Sequence, residues 1–166
     1  MKEAIGGSYL FILVIIIVAL FTSYVSISTN YSRCYHIKDE IINAIEINGG
    51  VDNYTLTSIN TYLNNIGYRS TGTCSSSGAK KFSVDNDLSD VPTSKANYCI
   101  ERHKKEEVVS TTNGVTGHPK SASYYSVEVF FKLSMPILGE MFFIPISGET
   151  SILYVTKEYA QIWGES

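Results

Sequence analysis

Tyr9-Leu-Phe-Ile-Leu-Val-Ile-Ile-Ile-Val-Ala-Leu-Phe21 is an unbroken apolar run, and it continues through Thr22-Ser-Tyr-Val-Ser-Ile-Ser-Thr29 without proline or glycine. From Ser8 to Ile27 there is no charged side chain. A helix over that stretch is roughly 30 Å long, the thickness of a bilayer's hydrocarbon core. In water so many β-branched residues favour a strand. In lipid every backbone N–H and C=O must be bonded within the segment, so helix wins. Tyr9 and Tyr24 stand near the two ends, where amphipathic rings prefer the headgroup level. Residues 8–27 therefore read as a transmembrane helix with membrane lipid as its partner, and residues 1–7 as a short cytoplasmic head or leader. A cleaved secretory signal is the competing reading. Only Lys2, balanced by Glu3, precedes the run, and no small-residue cleavage site follows it, which favours a retained helix. With so short a head, the C-terminal part is placed outside the cytoplasm, on a single-pass anchor.

Outward from this run, helical spacing persists. Tyr24, Ile27, Tyr31, Cys34, Ile41 and Ile45 lie on one stripe, interrupted by Lys38, while Asp39, Glu40, Asn43 and Glu46 lie off it. This predicts one continuous helix from about residue 8 to residue 47, amphipathic over 28–47 and stopped by Asn48-Gly49-Gly50. Leu56, Ile59, Tyr62, Leu63 and Ile66 predict a second helix over 55–66, with Thr55 as N-cap and Gly67 as C-cap. Residues 70–97 lack periodicity and read as loop.

A sheet is expected over residues 98–156. It opens with a charged strand or edge over 98–109 around Glu101-Arg-His-Lys-Lys-Glu-Glu107, the composition of a solvated face or of an edge protected against pairing. The clearest strand follows, where Tyr125, Val127, Val129, Phe131 and Leu133 alternate with polar residues and Phe130 alone spoils the polar face. After Pro136 and Gly139, residues 141–156 form one long strand or two short ones, with a bulge expected at Ser147-Gly148.

Composition narrows the function classes. A net charge of −3 supplies no basic field for nucleic acid. His36, His103 and His118 are scattered, and no zinc, nucleophile-elbow or phosphate-cradling motif is present. No enzyme, no metal, no cofactor and no small-molecule substrate is predicted. Of three cysteines, Cys74 and Cys99 bracket a polar loop and are the preferred disulfide in an exported domain, where closure removes roughly 3.5 kcal/mol of unfolded-state entropy. Cys34 is left as a small buried hydrophobe.

The fold class reached is α+β: a long N-terminal membrane-spanning helix continuing into an amphipathic helix, packed on a small antiparallel β-sheet. That order of elements, Gly7-Ser8 before the apolar helix, and Val127-Glu-Val-Phe-Phe-Lys-Leu-Ser-Met-Pro136 followed by Ile144-Pro-Ile-Ser-Gly148-Glu-Thr resemble pilin-like proteins. The resemblance is narrowest to the TadE-like minor pilins of tight-adherence (Tad) pilus systems. It implies leader processing at Gly7 and Ser8, and assembly or cell adhesion through other pilin-like or pilus assembly subunits. Pilins commonly carry glutamate at the fifth position after the processed glycine; here that position is Ile12, which points to a minor, accessory or membrane-retained subunit. Helix packing in the membrane is then assigned to Tyr9, Leu13, Ile16, Leu20, Tyr24, Ile27 and Tyr31. The alternative is a single-pass membrane-anchored extracellular binding module that uses the loop between Cys74 and Cys99.

Overall fold

The computed structural model describes residues 2–84, 95–106, 121–134 and 141–154. Helix α1 (Lys2–Ile47) is a single run of 46 residues. It starts before residue 8 and continues through Gly6 and Gly7, because one or two glycines lower helix stability by only about 1 kcal/mol each and remove no hydrogen bond. It is the one helix among the described residues long and apolar enough to cross a membrane.

At its far end Gly50 N–H donates to Ile45 O at 2.9 Å and Gly49 N–H to Glu46 O at 3.2 Å, closing the last turn. Helix α2 (Asn53–Asn65) begins earlier than expected. Its N-cap is Asp52, whose carboxylate accepts from Thr55 N–H at 2.6 Å. Thr55 lies inside the helix, and its hydroxyl is turned back to Gly50 O at 3.2 Å. Gly67, at φ 67, follows the C-cap Ile66, and Tyr68 N–H reaches Leu63 O at 2.9 Å.

Strands β1 (Lys80–Phe82), β2 (Tyr98–Glu106), β3 (Ser121–Ser134) and β4 (Met141–Glu149) form an antiparallel sheet in that order, and β5 (Leu153–Tyr154) pairs with β3 beyond β4. Strand β1 lies within residues 70–97, read above as loop. Three residues are too few to show a period, and β1 is held by tertiary contact: the Phe82 ring stacks on Tyr98 at 5.3 Å. The charged half of β2 beyond Ile100 has β3 on one side and no partner from β1, so it is an edge only in part. Residues 107–109 and 155–156, also assigned to strands from sequence, lie outside the described residues.

The bulge expected at Ser147-Gly148 is absent. Ser147 and Gly148 stand opposite Glu128 and Val127 in unbroken register. The register slips by one residue further on, between the Ser126↔Glu149 and Ser123↔Leu153 pairs. There the Thr150 hydroxyl accepts from Tyr125 N–H at 3.0 Å in place of a backbone carbonyl. Gly148 answers to a different demand. A Cβ there would lie 2.7 Å from Lys38 Cδ and 2.8 Å from Ile42 Cδ1, so glycine is what lets α1 lie against β4.

The core sits between α1, α2 and one face of the sheet. Cys34, Ile37, Ile41 and Ile45 of α1 meet Leu56, Ile59 and Leu63 of α2 and Val127, Val129, Phe131 and Ile146 of the sheet. Lys38, which breaks the stripe in sequence, is buried here with its stem on Gly148 and its ammonium 2.8 Å from Asp39 Oδ1. Burial pulls the Lys38 pKa down, but the Asp39 carboxylate and Tyr35 outweigh it and the net shift is upward. The opposite face carries a small second cluster of Ala96, Cys99 and Phe130, packed with Cys74 and Ala79. Phe130, the residue that spoiled the polar face of β3, fills it.

Candidate functional site

The seven helix residues assigned to packing lie on one stripe of α1, and the structure divides them. Tyr9, Leu13, Ile16, Leu20 and Tyr24 are 43 to 70 % exposed. Ile27 is half-buried against the core, and the Tyr31 ring meets Phe131 edge-on at 6.3 Å. The first fully buried residue of α1 among those described is Cys34. Its thiol is pushed up in pKa by burial, against a smaller opposing pull from Arg33, so it stays protonated and packs as an apolar group. One helical face thus runs from bare apolar surface into a covered core without a break. Gly7 and Ser8 lie within the helix, at the start of the bare half.

Before β2 begins, its place beside β3 is taken by a side chain. Tyr68 Oη accepts from Phe130 N–H at 2.9 Å and donates to Phe130 O at 2.9 Å, standing in for a strand that starts only at Tyr98. Burial raises the Tyr68 hydroxyl well above its ordinary pKa, which keeps the donor in place. Pro145 sits opposite Phe130 on β4. Because the Phe130 backbone groups point to Tyr68, the missing N–H of Pro145 costs the ladder nothing on that side.

On the far face of the sheet, Cys74 and Cys99 are joined, with Cα atoms 5.9 Å apart. Beside the bridge is a hollow of 230 Å³ lined by Ser75, Ser76, Ala79, Cys99, Glu101, Ser126, Glu128, Pro145 and Ser147. The Glu128 carboxylate accepts from Ser75 N–H at 2.9 Å and from the Ser75 hydroxyl at 2.6 Å, which fixes the loop onto β3. Glu101 lies 3.8 Å from His103 Nε2, and the His103 ring stacks on Tyr124 at 4.7 Å. Hydroxyls and carboxylates with one stacked ring pair make a surface able to hydrogen-bond a polar ligand.

Sequence reasoning placed the bridge but missed the hollow. Ser75 and Glu128 are 53 positions apart, and the only local signal was an acidic residue on the polar side of β3. Among the described residues no group of three His, Cys, Asp or Glu side chains is gathered as a metal would need. No protein family, no curated protein and no solved structure matches this chain.

Proposed function

We propose that this chain is a membrane-anchored, minor pilin-like (TadE-like) subunit of a surface pilus or secretion assembly, with its α+β domain outside the cytoplasm. It acts by packing of its bare helix in assembly or adhesion, not by chemistry. The observation that carries the reading is the unbroken stripe on α1. The domain covers its upper part and leaves Tyr9 to Tyr24 to lipid or to the helix of another subunit. In a bilayer, apolar surface gains nothing by leaving lipid, so helix association there rests on shape. Ile16→Trp and Leu20→Trp should insert normally yet enter the assembly poorly, measured by comparing membrane and sheared surface fractions. Normal incorporation of both variants would defeat the reading. Mass spectrometry of the mature N-terminus in the same fractions tests processing at Gly7 or Ser8.

The hollow beside the Cys74–Cys99 bridge favours a second reading, a single-pass anchored binding module. That protein would be monomeric in detergent, bring down no pilin-like partner, and tolerate any change in residues 9–24 that keeps hydrophobicity.

A further inference from the structure

Helix α2 runs back along α1, from Thr55 beside Gly50 to Ile66 beside Arg33, so its C-terminal turn points toward the apolar half; strand β3, with Phe131 beside Tyr31 and Val127 opposite Gly148 near Ile42, does the same. The domain therefore has one end that faces the start of α1. A hollow of 130 Å³ opens there, and three cationic residues from three separate segments line it: Arg33 of α1, Arg69 after α2 and Lys132 of β3. Among the described residues no carboxylate lines it, nor the groove beside it that reaches His36, in a chain whose net charge is −3. Arg33 is six residues beyond Ile27, about 9 Å up the helix, and side chains on a helix lean toward its N-terminus, here toward lipid. The polar layer adds roughly 5–7 Å on each side of the hydrocarbon core, so the Arg33 backbone stands about 2–4 Å above it and the lean of the side chain brings the charge down to headgroup level. Exposed Phe143 stands opposite Lys132 in the β3–β4 ladder, an aromatic beside a cation at the same level.

Arg33 also donates to Ile66 O at 3.0 Å, and Arg69 to Asn64 Oδ1 at 3.0 Å. Closing the C-terminus of α2 accounts for two of the cations. It does not account for Lys132, on a strand.

We propose that this end of the domain docks on the phosphate of anionic phospholipid headgroups in the bilayer that holds α1, with Arg33, Arg69 and Lys132 supplying the charge. The inference rests on the membrane-anchored reading of α1. Docking sets the domain upright on the membrane surface and ties its orientation to lipid composition.

The test uses the full chain reconstituted in bilayers of phosphatidylcholine mixed with phosphatidylglycerol. Alkaline carbonate extraction first establishes that the chain is integral; release at that step defeats the anchoring reading itself. Native mass spectrometry then gives the ratio of the two lipids retained on the protein. Phosphatidylglycerol is expected to be enriched over its share of the bilayer, with a loss of about fivefold for each cation removed. Lys132→Glu, an exposed strand position, should abolish the enrichment, while Arg33→Lys should keep it, because charge and not guanidinium geometry is what the headgroup reads. An integral chain that retains both lipids in bulk proportion overturns the proposal, as does enrichment unchanged in Lys132→Glu. Enrichment erased by added inorganic phosphate overturns it too, by showing that the hollow takes the free anion.

Discussion

The two halves of α1 share one continuous helical backbone and one apolar stripe, yet along that stripe one half is bare and the other is core. Leu13, Ile16 and Leu20 are exposed, whereas Ile37, Ile41 and Ile45 are at most 3 % exposed. The difference lies in what the rest of the chain brings to each. Among the described residues, the core contacts that strands β3 and β4 and helix α2 make with α1 begin at Ile27 and Tyr31. The lower half is left to a cover from outside the domain, and it is long and apolar enough for lipid to supply that cover.

The sharpest way to break the comparison is to truncate one residue in each half. Ile41→Ala should cost about 2–5 kcal/mol in denaturant unfolding of the domain in detergent, through lost burial and a cavity. Ile16→Ala should change it by less than about 0.5 kcal/mol. An equal loss at Ile16 would mean that the lower half is part of the folded core. Charge gives the next contrast. Leu13→Lys places an ammonium at membrane depth and should weaken insertion by about 3 kcal/mol, read as release on carbonate extraction. The converse change in the upper half, Lys38→Met, keeps the stem on Gly148 and should shift unfolding by less than about 1.5 kcal/mol, since the Asp39 it leaves behind is exposed.

A third experiment concerns the place where α1 crosses β4. Gly148→Ala drives a methyl into the Lys38 and Ile42 side chains and should destabilise by about 1–3 kcal/mol. Ile42→Val in the same chain removes one of the two colliding atoms, so the pair should be less harmful than the sum of its parts.

The smallest effect is in pH. Cys34 in the upper half has a pKa raised above its ordinary value, as do Tyr68 and Tyr98, each through burial first. Folding thus favours their protonated forms. Their contribution is whole below the unfolded pKa values and is lost as pH rises through the folded ones. Chemical unfolding followed from neutral to alkaline pH should show falling stability, with a shallower fall in Cys34→Ala. Stability that rises with pH over that window would contradict burial of these groups.

Much of the fold was legible because it is written in local periods. An apolar run of helical length, a three-and-four stripe and the alternation from Tyr125 to Leu133 each declare an element and a face within one stretch of chain. What was not legible depends on partners far off in sequence. Strand β1 has no period of its own, and the N-cap fell to Asp52 because a carboxylate three residues ahead of Thr55 reaches its N–H. Gly148 read as a bulge because nothing near it in sequence announces that α1 lies there. The hollow beside the disulfide and the cationic end of the domain are likewise products of tertiary placement. Each gathers residues from three or more separate segments, and no spacing rule joins them.

Helix α1 passes from its bare half into the domain with no loop between them, so the molecule has a shaft and no hinge at that point. Torsion of the lower half is handed to the domain undiminished. Whichever side of the lower half a neighbouring helix selects also sets the compass bearing of the hollow beside the disulfide. Adding one helical residue near Leu20, below the first core contact at Ile27, would turn that bearing by about 100° and lift the domain by about 1.5 Å, changing where the hollow looks while leaving the contacts from Ile27 onward as they are.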